Sequence, residues 1–264
     1  MFPVPTYLDK ILAAHRHAAG QDRRDVARLA AEAGSCSPAR GFKAALRRSQ
    51  GIAVIAEVKR RSPSKGPLAP DLVPANLAKA YAGAGAACLS VLTDQEFFSG
   101  SADDLAEARA AVELPVLRKD FTVCAADVCD ARLMGADALL LIVGGLSHDE
   151  LREFLSLSRR LQIDALVEVH DEAEAEAALA AGADLVGVNQ RDLVTFEVDA
   201  DRAVRVGGHL PDSVARVAES GIRTSDDVRR LADAGFDAVL VGEALVTSPD
   251  PGAALAGLRG VQGT

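Results

Sequence analysis

The sequence predicts an α/β protein, a closed (β/α)8 TIM barrel with an N-terminal helical extension. Three observations predict it. First, a repeat recurs four times: GAGAACLSVL at Gly83–Leu92, GADALLLIV at Gly135–Val143, GADLVGVN at Gly182–Asn189 and GFDAVLVG at Gly235–Gly242. Each copy carries a glycine able to end an Ala-rich helix before an apolar strand. Second, the aligned glycines Gly85, Gly135, Gly182 and Gly235 stand 50, 47 and 53 residues apart. One βα unit takes about 25–30 residues, so each interval holds two units. Third, the extra strands this demands are present, at Ala53–Lys59, Pro115–Lys119, Ala165–His170 and Val214–Ser220. Eight strands alternating with helices close into a barrel by right-handed crossovers. An open doubly wound sheet is the alternative, but no GxGxxG follows the first strand.

Residues 1–50 form the extension and 51–264 the barrel, one structural domain in all. In the extension, Leu8, Ile11 and Leu12 at helical spacing predict a helix over Tyr7–Ala33, its second half charged from Asp22 to Arg28. Gly34–Pro38 breaks it, and Gly41–Gln50 reads as a short second helix. Barrel helices are expected at Ala75–Ala84, Asp103–Val112, Ala126–Met134, His148–Leu161, Glu172–Ala181, Asp199–Val206, Ser225–Ala234 and Pro251–Leu258. Gly242 precedes Glu243-Ala244-Leu245, which reads as the start of another short helix.

Composition narrows the function. With 4% aromatics and no Trp, the core must be Ala, Leu and Val. A net charge of −9 argues against nucleic acid as a partner, though not against a small anion, since a site sets its own field. Cys36, Cys88, Cys124 and Cys129 form no CxxC pair, and the histidines offer no matching ligand spacing, so no zinc site is expected. Cys88, in an apolar run, is expected to be a buried thiol. The pattern fits a reducing cytoplasm. No apolar h-region follows the N-terminus, and the longest apolar run, Ala138–Val143, is too short to cross a bilayer.

The strands differ in one respect. The even ones are almost purely apolar, whereas the odd ones end in charge: Glu57 and Lys59, Arg118 and Lys119, Glu168, and Glu219. Core packing gives no reason for that. In a barrel the C-terminal strand ends converge on one mouth. Alternation pairs Glu57 with Lys59, Leu166 with Glu168, and Val217 with Glu219 on shared faces, and lets only one of Arg118 and Lys119 enter the mouth. Gly187, Asn189 and Arg191 share a side if the sixth strand runs that far. Lys59, Lys119 and Arg191 facing Glu57, Glu168 and Glu219 suit an anionic substrate undergoing proton transfer, with a near-neutral carboxylate as base and a lysine of lowered pKa as acid. A purely structural ion-pair network is the alternative. Backbone N–H groups at Ser220-Gly221 and after Gly242 are expected to form a phosphate site, against the alternative of simple turn glycines.

The motifs AEVKRRSPSKG, LTDQEFFSGS, LRKDF, LVEVH, VGVNQRDL, AESGI and LVGEALV, in this order, resemble those of indole-3-glycerol phosphate synthase, from about Tyr7 to near the C-terminus. The resemblance implies ring closure of 1-(2-carboxyphenylamino)-1-deoxyribulose 5-phosphate with loss of carbon dioxide and water, in tryptophan biosynthesis, without cofactor or metal. It implies that Lys119 is the general acid for ring closure and Glu168 the base for later proton removal. Lys59 pairs with substrate anions and serves as acid in dehydration, while Glu57 and Glu219 orient the lysines. Asn189, Arg191 and Ser62 hold the substrate. Phe97, Phe98, Phe121 and Leu140 (or Leu141) line the anthranilate end; read alone, the phenylalanines are as well explained by loop packing. Ser220, Gly221, Gly242 and Glu243 bind phosphate through backbone, with the Glu243 side chain turned away. The extension covers part of the mouth. The sequence departs from its relatives at Cys124-Ala125-Ala126-Asp127, where they carry a Pro-Tyr-Gln-like run. The alternatives are another phosphosugar barrel, such as phosphoribosylanthranilate isomerase, or a non-catalytic paralogue. A monomer or weak homodimer is expected.

Overall fold

The computed structural model describes residues 6–192 and 194–260; residues 1–5 and 261–264, at the ends of the two expected ranges, lie outside the described residues. Eight parallel strands close the barrel: β1 (Ala53–Val58), β4 (Cys88–Leu92), β5 (Val116–Lys119), β6 (Ala138–Ile142), β7 (Asp164–Val169), β8 (Leu185–Asn189), β9 (Ala215–Glu219) and β10 (Ala238–Val241), with β10 pairing back onto β1. Between β1 and β4, β2 (Arg61–Ser62) and β3 (Gly66–Pro67) form a small antiparallel hairpin. Outside the barrel run α4 (Pro74–Gly83), α5 (Ala102–Ala111), α6 (Ala125–Leu133), α7 (His148–Arg160), α8 (Glu172–Ala180), α9 (Arg202–Gly207), α10 (Ser225–Asp233), α11 (Glu243–Val246) and α12 (Pro251–Leu258). Among the described residues no helix is long and apolar enough to cross a membrane.

The glycines of the repeat do what their spacing predicts. Gly85, Gly135, Gly182 and Gly235 all have φ between +81° and +89°. Each therefore ends a helix in the left-handed conformation, which costs a residue without Cβ least. The departure at Cys124 does not cost α6 its start: Asp127 accepts from the N–H groups of Val123 and Cys124 and so caps the helix.

Two helix expectations are corrected. The predicted Tyr7–Ala33 helix is two helices, α1 (Tyr7–Gln21) and α2 (Val26–Gly34). Asp22 accepts from the Arg24 N–H, and Asp25 caps α2 by accepting from the Ala27 N–H. These short carboxylates offer the backbone a partner outside the helix and break it. The helix expected from Asp199 begins only at Arg202, because Arg191 and Val198 bridge and draw the preceding segment against the barrel rim.

Strand alternation sorts the core into two shells. Val54, Leu89, Leu139, Leu141, Val167 and Val239 face the helices. Ile55, Leu117, Leu140, Leu166, Leu185, Val217 and Leu240 fill the barrel. Strands buried on both faces read as continuous apolar runs. The inner shell is completed by α3 (Phe42–Arg48), whose Phe42 and Leu46 are 0% and 1% exposed and join Ala53, Ala138, Ala215 and Ala238 at the strand beginnings. The extension thus closes the end opposite the mouth, a role its sequence did not announce. Acidic residues at strand beginnings fasten it. Asp137 accepts from the Arg40 N–H and Asp164 from the Lys43 N–H, both at 2.8 Å.

Phe42→Ala opens a cavity in this inner shell. We expect a loss of about 3–5 kcal/mol of stability by urea unfolding. The mouth should keep its structure, because the cavity lies at the opposite end of the barrel.

Candidate active site

At the C-terminal strand ends, Glu57, Glu168 and Glu219 are 3%, 2% and 2% exposed, so three carboxylates share a nearly dry volume. Burying an unpaired carboxylate would be very costly. Two lysines meet the cost. Lys119 Nζ lies 3.0 Å from Glu168 Oε2 and 3.5 Å from Glu219 Oε2. Lys59 Nζ donates to Glu57 Oε2. Asn189 Nδ2 donates to Glu168 Oε1 at 3.0 Å, and its own Oδ1 accepts from the Arg191 N–H. Arg118, on the opposite face of β5 from Lys119, instead ties Thr93, Asp120 and the Asp127 carbonyl together.

One cavity collects these groups. Of the residues singled out from sequence, Glu57, Lys59, Ser62, Phe98, Lys119, Phe121, Leu140, Glu168, Asn189, Arg191, Glu219, Ser220, Gly221, Gly242 and Glu243 all line it. Phe97 does not. Its ring packs edge-on against Tyr7, with centroids 5.9 Å apart, so it props a lining residue from behind. Leu140 faces inward, whereas Leu141 packs in the outer shell. Arg191 also departs from expectation. Its Nη1 donates to the Phe196 carbonyl rather than to one of the three buried carboxylates. The Glu243 carboxylate receives Lys65 Nζ at 2.5 Å and stands 3.9 Å from Arg223, so cations at the rim occupy it.

Glycines leave room for the charges. A Cβ on Gly187 would lie 2.1 Å from Glu219 Oε1, and one on Gly242 would lie 2.1 Å from Glu57 Oε2 and 2.9 Å from Lys59 Nζ. At Ser220 the backbone is left-handed (φ 67°), followed by Gly221 at φ 74°. A non-glycine residue there is strained, and Gln190 holds it by donating Nε2–H to the Ser220 carbonyl at 2.8 Å. Among the described residues, the N–H groups of Gly221, Glu243 and Ala244 donate to no protein acceptor. All three residues line the cavity, so their donors are available to an anion.

The electrostatics reverse one expectation. Burial works against the Lys119 charge, but Glu168, Glu219 and Glu57 outweigh it and hold its pKa above the ordinary lysine value, not below. Burial also opposes ionisation of Glu168, yet Lys119, then His170 and Asn189, bring it down to about 2. Glu219 is pushed up to about 8, first by burial and then by Glu168 and Glu57, against the pull of Lys119. The near-neutral carboxylate is therefore Glu219. The asymmetry has a visible cause: Glu168 Oε1 accepts from Asn189, whereas Glu219 Oε1 has no hydrogen-bond partner among the described residues.

The resemblance placed the extension over part of the mouth, and α1 is the part that reaches it. Its Tyr7, Leu8 and Ile11 line the cavity. His15 hydrogen-bonds Asp94 (2.9 Å), and its ring packs on Phe121 at 5.3 Å. Asp94 in turn accepts from the N–H groups of Phe97 and Phe98, so one clamp ties the extension to the aromatic loop. The apolar face of α1 was legible as helix, but nothing local told that His15 would grip Asp94. His15, Asp94 and Asp120 bring ligand atoms within 4.8 Å of one another. All four aspartate oxygens already accept hydrogen bonds, from His15, Phe97, Phe98, Thr93, Arg118 and Phe121, which marks a clamp rather than a metal site.

The family model described as Indole-3-glycerol phosphate synthase matches residues 8–258. "Indole-3-glycerol phosphate synthase 2" of Streptomyces coelicolor is 53% identical over 237 residues, covering 90% of this chain and 92% of that protein. The indole-3-glycerol phosphate synthase of a Polaromonas species is 49% identical, covering 96% and 98%. Among solved structures, a thiamine phosphate pyrophosphorylase from Pyrococcus furiosus superimposes with a TM-score of 0.60 at 16% identity over 80% of this chain and 95% of that one, a likeness of fold.

The raised Glu219 pKa has a consequence for stability. Between the unfolded carboxylate range and about 8, the native state holds a proton the unfolded chain has lost. Stability therefore falls as pH rises through that window. Glu219→Gln removes this fall. The variant should melt a few degrees above wild type at pH 8 and lose that advantage at pH 4, as thermal unfolding across pH will show.

Proposed function

The chain belongs to the indole-3-glycerol phosphate synthase family, and we propose that its substrate is 1-(2-carboxyphenylamino)-1-deoxyribulose 5-phosphate, closed to the indole with release of carbon dioxide and water. The observation that carries this reading is the Lys119 ammonium held between Glu168 and Glu219 at the barrel mouth. An ammonium so placed can meet a developing alkoxide with charge and a proton together.

In the proposed division of labour, the free N–H groups at Gly221 and at the start of α11 take the phosphate, beside Ser220, Gly242 and the cations Arg191 and Lys65. Phe98, Phe121 and Leu140 hold the anthranilate ring, and Ser62 closes over it from the hairpin. The carboxyl-bearing ring carbon attacks the ribulose carbonyl carbon. Lys119 gives its proton to the carbonyl oxygen as the carbon–carbon bond forms, and carbon dioxide then leaves that ring carbon. In dehydration, Lys59 protonates the departing hydroxyl while Glu168 removes the proton that restores aromaticity. Glu57 orients Lys59, Glu219 orients Lys119, and Asn189 orients Glu168.

The pKa pattern fits this order. While Lys119 is charged, Glu168 is a weak base, held down chiefly by that charge. Once Lys119 has given its proton away, the restraint is gone and Glu168 becomes more basic. The first transfer thus prepares the second.

Lys119→Met removes the donor at similar length, and kcat should fall by about 10²–10⁴-fold, the range of general acid catalysis. Glu168→Gln should fall as far, with substrate still binding. Indole product fluorescence under saturating substrate measures both. Turnover within a fewfold of wild type in either variant would contradict the assigned role.

A further inference from the structure

Beyond the groups assigned above, β7 carries one more titratable residue into the site's surroundings. His170 follows Val169 at the end of the strand, two residues after Glu168. Its Nε2 is buried and makes no hydrogen bond among the described residues, yet lies 3.5 Å from Glu168 Oε1. Its Nδ1 lies 3.1 Å from Glu174 Oε2, in the first turn of α8. The backbone N–H of His170 donates to the same Glu174 oxygen at 2.8 Å. The turn after β6 closes over Glu174, since a Cβ on Gly144 would stand 2.9 Å from Glu174 Oε1.

A neutral imidazole has one donor and one acceptor nitrogen. Here both nitrogens face carboxylate oxygens. A neutral ring would leave one nitrogen lone pair beside a carboxylate oxygen. Only the imidazolium carries an N–H on both nitrogens and sets a positive charge beside both carboxylates. The titratable groups that act on the ring are all acids: Glu174 on α8, Glu168 on β7 and Glu219 on β9. Burial disfavours the charge, but Glu174 and Glu168 outweigh it and the pKa is raised.

We propose that His170 is a positioning residue for Glu168: its imidazolium, anchored by Glu174, keeps the Glu168 carboxylate ionised and turned so that Oε1 meets Asn189 and Oε2 faces Lys119. This deepens the reading of Glu168 as the base and rests on it. The clamp has a use in the cycle. When Lys119 becomes neutral, Glu168 would otherwise lose its counter-charge inside a dry site. His170 keeps one counter-charge in place, which limits the swing in basicity and holds the carboxylate geometry through the step.

The test reads the ring itself. In protein labelled with 15N-histidine, the His170 nitrogens should carry two protons at pH 7. Glu168→Gln and Glu174→Gln should each lower the pH at which the ring titrates, by about one unit, as loss of an adjacent opposite charge does. Kinetically, His170→Gln should lower kcat by about tenfold or more with KM little changed. A ring that is neutral at pH 7, or whose titration does not move in Glu168→Gln, overturns the clamp even where Glu168→Gln is inactive. Normal turnover in Glu168→Gln instead removes the base assignment, and the positioning role with it. Should His170→Gln fold poorly, Glu174→Gln leaves the ring in place, and its kcat should also fall with KM preserved; an unchanged kcat there contradicts the proposal.

Discussion

Three carboxylates and two ammonium groups held in one nearly dry volume are the constraint on which the rest of the site depends. Glu57, Glu168 and Glu219 are almost fully buried, and each buried charge is tolerable only while its partners stay in place. Lys119 answers two of the carboxylates at 3.0 and 3.5 Å, and Lys59 answers the third. Removing a lysine leaves a buried anion without its counter-ion, so it costs more than one lost hydrogen bond. The arrangement also explains two glycines that no turn demands. Gly187 and Gly242 lie where any Cβ would strike a carboxylate. Side chains that carry the chemistry and backbone that makes room for them are parts of one packing problem.

The fold holds this charge cluster by filling the barrel from the other end. Phe42 and Leu46 of α3 complete the inner shell at the strand beginnings, and Asp137 and Asp164 fasten its start by accepting from the N–H groups of Arg40, just before the helix, and Lys43, in its first turn. The same extension then returns to the mouth through α1, where His15 grips Asp94 and Arg16 reaches Glu150 and the Gly145 carbonyl. A segment of about fifty residues thus braces both ends of the barrel. At one end it supplies apolar volume and at the other it supplies cavity wall.

Much of this was legible in the chain. The period of the repeat dictated eight strands, and the left-handed glycines fell where helices had to end. Charge at the odd strand ends marked the mouth, because no core needs it. Alternation allowed only one of Arg118 and Lys119 into the mouth and left Leu140 and Leu141 open, and barrel closure turned Lys119 and Leu140 inward. Readings that failed were those needing distant partners. Phe97 looked like cavity wall, yet Tyr7 stands in front of it. Arg191 looked like a partner for the carboxylates, but the Phe196 carbonyl takes its guanidinium. A lysine of lowered pKa was expected from burial alone. The number of carboxylates converging on Lys119 depends on barrel closure and reversed the sign.

That reversal bears on how the site can use both an acid and a base. A lysine kept charged by neighbouring carboxylates meets a carbonyl in the right protonation state across the neutral pH range, though it gives up the proton less readily than an isolated group. A carboxylate held near 2 is a poor base for the same reason. Each is unfavourable alone, and the two are coupled through one short contact. A proton leaving Lys119 for the substrate removes the chief charge that suppressed Glu168. Under the roles proposed for Lys119 and Glu168, basicity then follows acid catalysis, at the point where ring closure has put the next proton to be removed. Glu219 damps the change, because burial and the neighbouring carboxylates push its pKa up and so weaken the negative charge it adds beside the neutral lysine. Order in a multistep reaction can then arise from the electrostatics of three side chains, without any movement of the barrel that holds them.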